Sequence, residues 1–317
     1  MGISNNQSFF IEEISQYDII DESYSIMYKD MQNWHNLQLA IYECVLNEGN
    51  IINFIKDIIH KIIETLKKWW KNITDFIKKV INNIKSKLSG KGDPEKVMID
   101  VKRVDDLKIS SRELILMVLH GKDYISHFDI QESNDDIIDG FMHSMDLKID
   151  MNNTEKIKEQ LEKELSNIDK VKENLNENKM NVNDLIEEIF KNYKIEKTDD
   201  GQKLFDSTSF IKVYKNVKDT IGSGVKLLEN QKKKVDSLIS DATKRLNVME
   251  TMLTQMLKNN NDSDVDKLVK DFINNISSIL QSMITGSFNV SISANSKILN
   301  KAATDLENVF NSLKKEK

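Results

Sequence analysis

Between Asn50 and Leu88 the chain reads NIINFIKDIIHKIIETLKKWWKNITDFIKKVINNIKSKL. Apolar residues recur there at steps of three and four, through Ile55, Ile59, Ile62, Leu66, Trp69, Trp70, Ile73 and Ile77. That spacing makes one apolar stripe along an α-helix. The opposite face is mostly Lys and Asn, and Lys67, Lys68 and Lys71 bracket the two tryptophans. At about 1.5 Å per residue the helix is roughly 55–60 Å long. Ahead of it, Ile26, Met27, Met31, Trp34, Leu37, Ile41, Val45 and Leu46 keep helical spacing, with Gly49 where a C-terminal cap belongs. The short link at 47–50 predicts an antiparallel pair in which the stripe is at least partly core.

After Ser89-Gly90-Lys91-Gly92-Asp93-Pro94 the texture changes. Val97, Ile99 and Val101 alternate with polar residues, which predicts a short strand. A buried helix is expected over Arg112–Leu119, so 95–150 reads as a small, partly β module. From Thr154 onward the pattern is helical again. Ile157, Leu161, Leu165, Ile168, Val171 and Leu175 form a narrow seam that implies a coiled-coil-like partner contact. A second seam runs from Val225 to Met256, broken only at Gln231 and Lys232. After a turn at 258–263, a third runs from Val265 to Leu313, back along the second as a helical hairpin. Its middle, GSFNVSISANS, alternates and fits a strand or a weak helical patch. The expected architecture is mainly α and extended, built of long amphipathic helices, a C-terminal helical hairpin and the small module. Its divisions are 1–92, 93–152 and 153–317.

Composition supports helix: there is one proline and there are ten glycines in 317 residues. Charge sharpens the picture of the basic helix. Ten lysines lie between Lys56 and Lys91 against Asp57, Glu64 and Asp75, a net +7. The chain as a whole carries −6, so the remainder carries −13. A basic helix in so acidic a chain is expected to meet an anionic surface, its own or a partner's. The single cysteine, Cys44, excludes an internal disulfide and fits a reducing compartment. The N-terminus lacks the basic start and apolar run of a signal peptide, and no apolar run is long enough to span a membrane as a simple helix.

Candidate chemistry is sparse. His120, Asp123 and His127 include zinc-ligand types without a second cluster at recognised spacing, and read as polar residues beside a turn. Asp262, Asp264 and Asp266 open like a calcium loop, but Lys267 and Ile273 stand where that loop needs Gly and Glu, so a helix cap explains them better. Gly222-Ser223-Gly224 lacks the Lys and Ser/Thr of a phosphate loop and is expected to loosen or start a helix. Cys44 has no His nearby in sequence to activate it. The chain therefore reads as non-enzymatic and without a cofactor. The basic helix keeps three readings: packing on protein, lying in a membrane interface through its Ile, Trp and Lys face, or touching DNA non-specifically through its lysines.

The order of segments has a family look. An acidic helix ends in Glu48-Gly49; the Ile/Lys helix follows with Lys67-Lys68-Trp69-Trp70-Lys71 at its centre; then come the Gly/Ser break at 89–92 and a long, charged helical tail. Over residues 20–92 in the main, this resembles virion-associated structural proteins of tailed bacteriophages that infect low-GC bacteria. The resemblance implies a non-enzymatic component of the virion, capsid-associated or internal to the head and present in many copies. Other virion proteins and further copies of itself would be its partners. A membrane-active protein of pore-forming type, inserting 50–88 or 272–299, is the alternative.

Overall fold

A computed structural model describes residues 32–37, 39, 50–89, 99–128, 135–147, 153–177, 180–197 and 200–314. Among the described residues there are helices, turns and two isolated β-bridges, and no strand. The basic helix is α1 (Ile51–Ser89), started by Asn50, whose side chain accepts from Ile52 N at 2.9 Å. Then follow α2 (Val101–Asp106), α3 (Arg112–His120), a 3-10 turn (Asp123–Phe128) and α4 (Asp135–Ser144). The last part holds α5 (Thr154–Glu177), α6 (Val182–Asn192), α7 (Phe210–Lys258), α8 (Ser263–Ser282), a π-helical turn (Met283–Phe288) and α9 (Asn289–Leu313).

α9 is the central rod, packed by α1, α7, α6 and α3. It runs parallel to α1: the Trp69 indole donates to Asn289 Oδ1 at 3.1 Å, and Asn83 Nδ2 donates to Asn300 Oδ1 at 2.7 Å. It runs antiparallel to α7, since Gln231 meets Ser291 and the Tyr214 ring meets Phe310. A helix enclosed on all sides is usually apolar all round, yet α9 buries Asn289, Ser291, Ser293, Asn295 and Asn300. Several of these are matched by polar groups on the neighbours. Gln231, the break in the α7 seam, donates its buried amide to Phe128 O at 2.6 Å and to Ser291 Oγ at 3.1 Å. That junction ties α7, the 3-10 turn and α9 at one register. The GSFNVSISANS stretch is thus π-turn and buried helix. Asn289 and Ser291 meet polar partners on the neighbouring elements, while among the described residues both amide atoms of Asn295 and the Ser296 hydroxyl are buried without a hydrogen bond.

Among the described residues of 95–150 the expected β module is not found. Ile99 makes an isolated bridge to Lys314, and Ile109 makes another to Gln202. Val101 is already the first residue of α2, capped by Asp100, and its side chain is 55% exposed. Val97 lies outside the described residues. Among the described residues no strand lies beside this segment, and the backbone it meets is the end of α9. Asp100 N donates to Leu313 O at 2.9 Å and Arg103 Nη1 to Ser312 O at 3.2 Å, so α2 satisfies carbonyls that α9 leaves open.

The seam of α5 finds its partner within the chain. Ile157, Leu161 and Ile168 are fully buried and the helix packs along α8. Lys158 Nζ bridges Asp262 at 3.0 Å and Asp264 at 3.3 Å, fixing the two helix starts side by side. Among the described residues all buried apolar side chains, from Trp34 to Leu313, belong to one cluster.

The basic helix as a candidate interaction site

The stripe of α1 is consumed by its own chain. Ile55, Ile59, Ile62, Leu66 and Ile77 are completely buried and Trp69 and Ile73 nearly so, mostly against α7 and α9 and in part against α8. The expectation that the stripe is at least partly core is met by α7, α8 and α9. Trp70 is half-buried at the seam with α7, and its indole donates to Asp236 Oδ1 at 2.8 Å. Acidic residues of α7 follow that seam: Glu250 shares a shallow groove of 400 Å³ with Lys56 and Lys61, Asp236 holds Trp70, and Glu229 lies 3.8 Å from Lys85. The acidic part of the chain thus answers some of the basic charge.

What α1 leaves outside is its polar arc. Lys56, Lys61, Lys67, Lys68, Lys71, Lys78, Lys79 and Lys85 are all exposed. At 100° per residue, Lys56, Lys67, Lys71, Lys78 and Lys85 line one edge and Lys61, Lys68 and Lys79 the other. Asp57, Glu64 and Asp75 lie between the two edges. Lys68 Nζ donates to Asn33 Oδ1 at 3.2 Å, which places the helical residues 32–37 beside the second edge. The interleaved carboxylates weaken the arc as a phosphate-binding surface and suit a protein surface of mixed charge.

The other sequence candidates resolve into structure. The rings of His120 and His127 lie 4.8 and 5.5 Å from the Tyr193 ring. Burial, and then the nearby Asp123 carboxylate, push the Tyr193 phenol up. Among the described residues no group of three or more His, Cys, Asp or Glu side chains is placed to hold a metal. Asp262 caps α8, accepting from Asp264 N at 2.8 Å, and its hydrogen bond from Lys158 holds its carboxyl below the usual range. Gly224 neither loosens nor starts a helix: it lies inside α7, where a Cβ would fall on the δ-carbons of Leu299. Cys44, Gly49 and most of the expected first helix lie outside the described residues. A second open cleft of 730 Å³ separates α4 from α7, with Arg245 at its edge held by Asp241 (2.9 Å), Asp146 and Met142 O (3.1 Å). No family model, no curated protein and no solved structure matches this chain.

Proposed function

We propose that the chain is a non-enzymatic structural component of a bacteriophage particle, placed there by helix packing and charge pairing with other virion subunits. The segment order over residues 20–92 supports the setting. The observation that carries the mode of action is the division of α1: its apolar stripe closes the chain's own core, and its lysine arc is turned outward. A rigid helix of about 58 Å with a charged outer face is a docking rail. Its contacts are expected to be weakened by salt, because exposed charges are screened within about 10 Å at 0.1 M. Mass spectrometry of purified particles tests the reading. The protein should be present in multiple copies per particle; accumulation in infected cells with none in the particles would overturn it.

A further inference from the structure

α5 turns a second charged face outward. Opposite its buried seam lie Glu155, Glu159, Glu162, Asp169 and Glu173, all exposed. Among the described residues, no cation reaches any of these five carboxylates within 4.0 Å. Their spacing matches that of α1. From Lys67 the lysines of one edge step by four, seven and seven residues, to Lys71, Lys78 and Lys85. Read backward from Glu173, the acids of α5 step by four, seven and seven, to Asp169, Glu162 and Glu155. Each set occupies an arc of about 40° and a length of about 27 Å.

We propose that the chain self-associates through α1 of one copy laid antiparallel against α5 of the next. Lys67 then faces Glu173, Lys71 faces Asp169, Lys78 faces Glu162 and Lys85 faces Glu155. The pairing is between copies because α5 packs on α8 and α4, whereas α1 packs mainly on α7 and α9. Two of the lysines have intrachain contacts, Lys78 with Asp75 at 3.5 Å and Lys85 with Glu229 at 3.8 Å. Both pairs are solvent-exposed and so exchange readily for a better-matched partner. Each copy carries one basic and one acidic face, and a contact between unlike faces can continue from copy to copy. The inference rests on the virion reading for its setting, where a weak contact gains from high local concentration, and not for its geometry.

Sedimentation of the full-length protein at low and at molar salt tests it. Association at low salt that disappears at high salt is expected. Lys67→Glu with Lys71→Glu, or Asp169→Lys with Glu173→Lys, should each weaken association about tenfold or more. Mixing the two double variants should restore it, because the reversed α1 of one meets the reversed α5 of the other. Circular dichroism melts establish that each variant is folded, and the mixing arm excludes loss through damage. A monomer at low salt, association indifferent to both reversals, or no restoration on mixing would overturn the pairing. Particle mass spectrometry is a separate readout, so the virion reading can stand while this pairing fails.

Discussion

At Gly224 the side chain of Leu299 fills the space a Cβ would need, and Leu299 is completely buried. Gly222, two residues earlier on the same helix, has nothing within reach of an added Cβ. Alanine is the better helix former by about 0.5–1 kcal/mol, while overpacking a filled core costs about 1–3 kcal/mol. Gly222→Ala should therefore raise the melting temperature and Gly224→Ala should lower it, in thermal denaturation of otherwise identical proteins. Glu113 offers a pH test. Burial, with a smaller contribution from Asp305, raises its carboxyl pKa above the ordinary 4.5. The folded chain then binds that proton more tightly than the unfolded one, so stability falls as pH rises from the ordinary value through the raised one. Glu113→Gln should melt higher than the parent near neutral pH, and the difference should vanish below about pH 4.

α1 was legible from sequence almost to the residue, because a stripe repeated over ten turns admits one secondary structure. The same holds for the seam of α5, although its partner was not legible: nothing in Ile157–Leu175 says whether the facing stripe belongs to α8 or to another protein. Val97-Ile99-Val101 misled because three alternating residues are too few to outweigh an N-cap, and Asp100 supplies one. The polar α9 was ambiguous for another reason. Asn289 and Ser291 are tolerated in the core because Trp69, Gln231 and Phe128 meet them there, and those partners lie far away in sequence. The acidic face of α5 was present in the spacing of Glu155, Glu162 and Asp169, but it gains meaning only beside the lysine edge of α1. The two faces of α1 should differ sharply in mutagenesis. Ile62→Ala should cost about 2–5 kcal/mol of stability, whereas Lys71→Ala should stay within about 0.5 kcal/mol, both read by chemical denaturation.

For the whole molecule, one hydrophobic cluster joins Trp34 and Leu37, α1, the middle segment and the C-terminal helices, so α1 is a wall of the core and cannot leave without opening it. Among the described residues no helix is long and apolar enough to cross a membrane. Interfacial insertion of α1 would have to expose the side chains from Phe54 to Ile84 that α7, α8 and α9 now cover. Dye-loaded anionic liposomes should accordingly show no release at neutral pH; rapid release would favour the membrane-active alternative. The central claim is that α1 spends its apolar face inside its own chain and keeps its lysines for others. Amide hydrogen exchange on the isolated full-length protein tests it most directly. Amides from Ile58 to Ile84 should exchange as slowly as those in the middle of α9, in the absence of any partner. Fast exchange along α1 with α9 still protected would contradict the account, because the stripe would then be waiting for a surface this chain does not supply.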